Sequence, residues 1–114
     1  MVANLHLERG IALKIAGSYD EALSEIKEAL SYEPDSAEVH HQLGLVLGFI
    51  GEFDDSIKEL ERAVQLESSN LTTRNDLALT YAMLGMNDEA KAGFEEVLQM
   101  DPTNKVALNN IIFF

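Results

Sequence analysis

Apolar residues recur at the three- and four-residue spacing of amphipathic helices through most of the chain, and short polar or glycine-containing segments separate the helical stretches. The first stretch carries Ile11 and Ile15 and stops at Gly17, a residue type that ends helices because it adopts left-handed backbone conformations without strain. The second carries Ile26 and stops before Pro34, since proline disfavours helical conformation in the residue that precedes it. The pattern therefore predicts two helices joined by a tight turn.

This pair of helices is repeated along the chain. A shift of 34 residues superimposes similar residues, among them Gly17, Gly51 and Gly85; Asp20, Asp54 and Asp88; and Leu30, Val64 and Leu98. Self-similarity at a fixed period of this size is typical of repeat proteins, in which each unit packs against its neighbours. We expect one array over residues 1–114, with units at 3–36, 37–70 and 71–104 and a partial fourth unit at 105–114.

The third unit shows the repeat most clearly. One face of its first helix carries a bulky, a small and an aromatic residue, and its second helix carries Ala and Phe before a proline: Leu77, Ala78, Tyr81, Ala90, Phe94 and Pro102. This arrangement resembles the tetratricopeptide repeat. The resemblance implies an all-α fold, a right-handed α-solenoid of three helix-turn-helix units plus one additional C-terminal helix. It also implies a non-catalytic scaffold for protein–protein interaction.

Polar residues mark the expected starts of the helices. Ser18 and Glu21 match a capping box, in which the two side chains satisfy free backbone N–H groups at the start of a helix. The segment Asp35-Ser36-Ala37-Glu38 and the cluster Ser68-Ser69-Asn70 are expected to cap the first helices of the second and third units. Acidic residues fall in the first turn of every second helix, where they interact favourably with the helix dipole, at Asp20, Glu21, Asp54, Asp55, Asp88 and Glu89. That placement is structural, so we do not interpret these carboxylates as catalytic.

The charge of the chain narrows the choice of partner. Twenty acidic residues against eight basic ones give a net charge of −12, which repels phosphate backbones and anionic membrane surfaces. We therefore expect a protein or peptide partner, apolar or mildly basic, and neither nucleic acid nor a membrane. The alternative is that the acidic residues only keep the exposed helix faces soluble.

The sequence does not predict an enzyme. There is no Cys, no nucleophile motif and no glycine-rich phosphate loop, and the adjacent His40 and His41 diverge on a helix and cannot bind one metal ion together. We expect His6 and His40, which are equivalent under the 34-residue shift, to be half-buried packing residues. No cofactor or metal is predicted, and without a signal or membrane-spanning pattern we expect a cytoplasmic protein.

The family resemblance implies that the first helices line the concave side of the superhelix and contact the ligand there. Transferred by register, the partner-binding residues of this chain are Leu7, Glu8, Ile11, Ile15, Glu38, His41, Gln42, Leu45, Phe49, Asn75, Asp76, Leu79, Met83 and Asn109. Many of these are large and apolar, which favours an interaction surface because connected exposed apolar patches usually mark one. The alternative is that curvature buries some of them between neighbouring first helices, Leu7 and Leu45 above all.

A branch of this family binds the acidic tails of heat-shock chaperones through Lys, Asn, Asn, Lys and Arg at five groove positions. Those positions hold Leu7, Ile11, Gln42, Thr72 and Asp76 here. None is a cation, and an aspartate stands where a guanidinium would receive a carboxylate. The sequence therefore disfavours an acidic-tail ligand and favours an apolar or mildly basic peptide or helix.

The last helix carries a large apolar surface. We expect the chain to form a homodimer, end to end, through Leu108, Ile111, Ile112, Phe113 and Phe114. The alternatives to a peptide-binding scaffold are accordingly a self-assembling structural or oligomerisation unit, or a regulatory fragment of a larger protein.

Overall fold

The computed structural model describes all 114 residues and contains seven α-helices and no strand. They are α1 (Val2–Ile15), α2 (Tyr19–Tyr32), α3 (Ala37–Phe49), α4 (Phe53–Leu66), α5 (Leu71–Met83), α6 (Asn87–Met100) and α7 (Lys105–Ile111). Each helix packs against the next along the chain, and α1 also contacts α3, and α3 contacts α5. The first helices of the units therefore lie on the inner side of the curved array. The prediction of an all-α fold is confirmed.

Glycine ends the first helix of each complete unit. Gly17, Gly51 and Gly85 have φ angles of +81°, +87° and +75°, which L-residues with a side chain rarely adopt. After α1, the Gly17 N–H donates to the Lys14 carbonyl at 3.0 Å and the Ser18 N–H donates to the Leu13 carbonyl at 2.9 Å. This is the Schellman pattern, which satisfies the last free carbonyls of the helix and reverses the chain within two residues.

Side chains cap the first helices α3, α5 and α7, but neither α1 nor the second helices. The Ser36, Asn70 and Asn104 side chains accept hydrogen bonds from the backbone N–H of the third helical residue at 3.1 to 3.3 Å. Ser18 makes no such bond at the start of α2, so the predicted capping box is wrong. The compact glycine turn places Ser18 at φ −86° and ψ 68°, outside the extended conformation of the three residues that do cap.

Small residues allow the two helices of a unit to cross closely. A β-carbon built on Gly44 would lie 2.7 Å from Leu60 Cγ, and one built on Gly10 would lie 2.5 Å from Ile26 Cγ1. The third unit reverses the arrangement: Ala78 of α5 faces Gly93 of α6, where an added β-carbon would lie 2.9 Å from Ala78 Cβ. One glycine per unit thus leaves room for the crossing.

The core forms two apolar clusters along the array. The first joins α1 to α3 through eight buried residues: Leu7, Ala22, Ile26, Ala29, Val39, Leu43, Val46 and Leu47. The second joins α5 to α7 through Ala78, Ala90, Phe94, Val97 and Ala107. Ser56 occupies the position of Ala22 and Ala90 in the middle unit, and its buried hydroxyl donates to the Gly44 carbonyl at 2.6 Å, which removes the cost of an unpaired polar group.

Candidate peptide-binding groove

Three large apolar side chains stand on the inner side of the array, one at the end of each first helix. Ile15, Phe49 and Met83 are related by the 34-residue shift and are 78%, 57% and 68% exposed. Phe49 also stacks on Tyr19, with the ring centroids 5.2 Å apart, so its ring is held in one orientation. Single exposed apolar residues are common, but a periodic row of them on one face is an available binding surface.

An open apolar cavity of about 150 Å³ adjoins this row. It lies between α3, α4 and α5, and its apolar walls are Leu45, Phe49, Phe53, Leu79 and Met83. Four of these five residues belong to the predicted partner-binding set. The exception is Phe53, which begins the second helix α4 and so lies outside a set drawn from first helices alone.

A polar row crosses the same face next to the apolar one. The Lys14 ammonium donates to Gln42 Oε1 at 2.7 Å, and His41 Nε2 donates to Asp76 Oδ2 at 2.7 Å, so the two contacts join α1 to α3 and α3 to α5. Burial lowers the pKa of Lys14 below its usual value, and the nearby negative charge of Asp76 offsets part of that effect. These side chains hold one another in place. The exposed Glu38 lines a polar cavity together with His41 and Gln42, and Glu8 of α1 is also exposed.

The structure places two of the predicted contact residues in the interior. Leu7 is buried in the first apolar cluster, and Asn75 is buried beneath α7, where its Nδ2 donates to Asn104 Oδ1 at 3.0 Å. Neighbouring first helices approach closely enough to cover both side chains. They therefore do not form part of the exposed groove, whereas Ile11, Leu45 and Leu79 are half-buried and Asn109 is exposed.

Sequence reasoning missed the partners of the histidines. His6 Nδ1 and Glu25 Oε2 lie 2.6 Å apart, and His40 Nδ1 and Glu59 Oε2 lie 2.5 Å apart, in equivalent places of the first two units. The 34-residue shift superimposes Glu25 on Glu59 as well as His6 on His40. This shared spacing is the sequence feature that could have predicted the two histidine–glutamate pairs. Both histidines are partly or fully buried, in accord with the packing role expected of them.

A second, polar cavity of about 310 Å³ lies at the start of α3 and α5. Its walls include Glu38, His41, Gln42, Glu67 and Asn70, so two carboxylates face it. No group of three or more His, Cys, Asp and Glu side chains in the chain is arranged to hold a metal ion. None of the seven helices combines the length and the apolar character required to cross a bilayer.

Comparison with known families identifies the repeats. The sequence model of the tetratricopeptide repeat matches residues 37–70 and 71–104, which together make up more than half of the chain. The chain belongs to the tetratricopeptide repeat family. Among curated proteins, none matches this tetratricopeptide repeat chain significantly.

Solved structures with the same fold span nearly the whole chain. The first TPR of Spaghetti (RPAP3), bound to the HSP90 peptide SRMEEVD, is 22% identical, with a TM-score of 0.91 over 98% of this chain and 89% of that one. The Arabidopsis OM64 TPR domain is 18% identical, with a TM-score of 0.88 over 95% and 89%. The MamA crystal structure is 25% identical, with a TM-score of 0.89 over 96% of this chain and 64% of that one. These likenesses show a tetratricopeptide repeat solenoid throughout the chain.

Proposed function

We propose that the chain is a non-catalytic interaction scaffold that binds an apolar or mildly basic peptide or helix in its concave groove. The observation that carries this proposal is the row of Ile15, Phe49 and Met83 beside the apolar cavity between α3 and α5. An amphipathic helix with apolar residues at i, i+3, i+4 and i+7 presents a stripe that fits such a row. Two TPR domains of RPAP3 have been solved with chaperone peptides, which supports a peptide as the class of ligand.

Electrostatics distinguishes this ligand from the acidic peptides of those structures. Glu8, Glu38 and Asp76 are the carboxylates of the first helices α1, α3 and α5, and the whole chain carries a net charge of −12. The cation beside them, Lys14, already donates to Gln42. An acidic tail would meet like charges without a free guanidinium to receive its carboxylates, whereas a basic margin on the ligand would be attracted. A cytoplasmic location, expected from the sequence, stays a prediction.

The proposal is tested with synthetic peptides and paired variants. An amphipathic helical peptide with a leucine stripe and a lysine-rich opposite face should bind the chain, and the peptide SRMEEVD should bind at least an order of magnitude more weakly. Phe49→Ala combined with Met83→Ala should reduce binding of the helical peptide about tenfold or more, since both side chains are anchors in the groove. Isothermal titration calorimetry measures the affinities, and circular dichroism confirms that helical content is unchanged.

A matched control distinguishes binding in the groove from non-specific binding to exposed apolar side chains. Tyr32 on α2 and Met100 on α6 are exposed to a similar degree but belong to second helices. Tyr32→Ala combined with Met100→Ala should leave binding of the helical peptide unchanged. Stronger binding of SRMEEVD than of the basic helix, or equal losses in both double variants, would contradict the proposal.

A second proposed property is self-association through α7 and the residues that follow it. Ile112 and Phe113 are 75% and 76% exposed, and Leu108 is also exposed. Ile111 and Phe114 point inward instead: both pack on the second core cluster, and the Phe114 ring lies 6.1 Å from that of Phe94. The surface available for a second copy is therefore narrower than the five residues expected from the sequence.

Burying Ile112 and Phe113 in a dimer would contribute about 1.5 to 3 kcal/mol each before the entropic cost of association. Light scattering over a dilution series should show a dimer at high micromolar concentration, and Ile112→Glu should abolish it. Leu5→Glu, at an exposed site on α1 at the other end of the array, is the control and should leave the dimer intact. A monomer at all concentrations, or equal effects of the two substitutions, would refute an α7-to-α7 dimer.

A further inference from the structure

A cavity of about 270 Å³ opens on the outer side of the array, between the second helices α4 and α6, with α5 as its floor. We call it the outer cavity; its walls include Val64, Leu77, Tyr81, Glu89, Ala92 and Gly93. It is slightly smaller than the pockets that hold drug-sized ligands, so its volume suits one long side chain. No residue lines both this cavity and the apolar cavity of the groove.

The outer cavity exists because the third unit lacks a side-chain pair that the first two units have. Gly93 occupies the position of Glu25 and Glu59, and Arg74 occupies the position of His6 and His40. In the first two units the histidine and the glutamate contact each other across this place.

In the third unit no such contact can form. Gly93 has no side chain, and Arg74, in the wall of the cavity, is held by other acceptors. Its Nη1 donates to Glu96 Oε2 at 2.9 Å and its Nε donates to the Ser68 carbonyl at 2.6 Å. The third unit has its crossing glycine on the second helix instead of the first, and this explains why the glutamate is missing. Because Ala78 already carries a β-carbon at the crossing, residue 93 must be glycine, and an added β-carbon there would lie 2.9 Å from Ala78 Cβ.

The charge around the outer cavity is negative. Glu89 stands in its wall and makes no hydrogen bond or ion pair within the chain, whereas the one wall cation, Arg74, is already paired with Glu96. Glu61 lies close by and accepts a hydrogen bond from the Tyr81 hydroxyl at 2.9 Å. Burial, this hydrogen bond and the charges of Glu61 and Glu89 raise the pKa of Tyr81 to about 12, in agreement with a negative potential at this site.

We propose that the outer cavity binds an arginine side chain of a basic partner segment. The apolar surface of Leu77, Ala92 and Gly93 receives the methylene groups of the arginine, and the Glu89 carboxylate receives its guanidinium. Arginine suits the site better than lysine, because the planar guanidinium stacks on an aromatic ring, here Tyr81, while it donates two parallel hydrogen bonds to a carboxylate. The site is separate from the concave groove, so it stands or falls independently of the function proposed there.

The test uses a small probe that carries the recognised group alone. Nα-acetyl-arginine methylamide is titrated into the ¹⁵N-labelled chain, and its citrulline counterpart, which has the same shape but no charge, is titrated in parallel. We expect saturable amide shifts at Leu77, Tyr81 and Gly93 with a dissociation constant on the order of 1 to 10 mM, as for a ligand of this size. The citrulline probe should bind about tenfold more weakly.

Two variants assign the effect to the cavity. Glu89→Gln should weaken binding of the arginine probe about tenfold, and the matched change Glu21→Gln, at the equivalent place of the first unit, should have no effect. The triple variant Arg74→His, Ala78→Gly, Gly93→Glu rebuilds the pair that fills the first two units and should abolish the shifts. If the triple variant does not fold, Glu89→Gln still decides the matter. Equal binding of arginine and citrulline, or shifts that persist in Glu89→Gln, would overturn the proposal.

Discussion

At the scale of single residues, the array depends on close approach at the helix crossings. Gly10 and Gly44 lie against Ile26 and Leu60, and in the third unit the glycine has moved to the second helix, at Gly93. Each crossing therefore requires one glycine, and either of the two helices can supply it. In the third unit the glycine is Gly93, which replaces the glutamate of the other two units and so opens the outer cavity.

Gly44→Ala should lower the free energy of unfolding by about 1 to 3 kcal/mol, because the new methyl group would overlap Leu60, 2.7 Å away. Alanine is a better helix former than glycine by about 1 kcal/mol, so propensity alone predicts the opposite sign. Urea denaturation measures the change. In a Leu60→Val background the cost should shrink, and an undiminished cost would show that Leu60 is not its source.

The raised pKa of Tyr81 makes stability depend on alkaline pH. The folded chain holds the phenolic proton up to a pKa of about 12, whereas an unfolded tyrosine loses it near its ordinary value of 10.0. The stabilisation is therefore complete below pH 10 and is lost as the pH rises through the folded value. Tyr81→Phe should remove the fall in melting temperature between pH 10 and about 12, measured by thermal melting. A profile identical to that of the parent would contradict the assignment.

At the scale of elements, the two helices of the second and third units start differently. The side chains of Ser36, Asn70 and Asn104 cap α3, α5 and α7, whereas α1 has no side-chain cap. The second helices α2, α4 and α6 have acidic residues in their first turn and no side-chain cap. A glycine turn fixes the entry of a second helix, so it does not need a cap, whereas the longer linker before a first helix leaves the cap to set where the helix begins.

Asn70→Ala should destabilise the chain by about 1 kcal/mol through loss of the hydrogen bond that the Thr73 N–H donates to Asn70 Oδ1. Ser18→Ala, at the corresponding place before α2, is the matched control and should change stability little, since Ser18 makes no side-chain cap bond. Thermal melting of both variants compares them. Equal losses would show that the difference between first and second helices does not exist in solution.

At the scale of the whole molecule, the fold could be predicted from the sequence because its determinants are local. Gly17, Gly51 and Gly85 set the turns, and the register that they define also gives the exposed positions of Phe49 and Met83. The site was less predictable because it depends on contacts between units. Burial of Asn75, and the bond between His41 and Asp76, arise from the approach of neighbouring first helices, which the pattern within one unit does not encode. Burial of Leu7 was one of the two alternatives that the sequence left open.

The outer cavity likewise depends on contacts between helices that the repeat pattern does not encode. Its cause, Gly93, is visible in the sequence as one departure from the repeat, but its consequence appears only when α4, α5 and α6 are placed together. Departures from a repeat pattern at positions that pair across helices are therefore informative about sites that are specific to one unit.

Binding of a peptide in the concave groove is tested by a chemical-shift map of the chain with the leucine-and-lysine helical peptide bound. Binding in the groove predicts that the largest changes fall on α1, α3 and α5, at Ile15, Leu45, Phe49, Leu79 and Met83. Residues exposed on the second helices, such as Tyr32 and Met100, should shift little. Changes confined to second helices or to α7, with the Phe49 and Met83 signals unmoved at saturation, would contradict it.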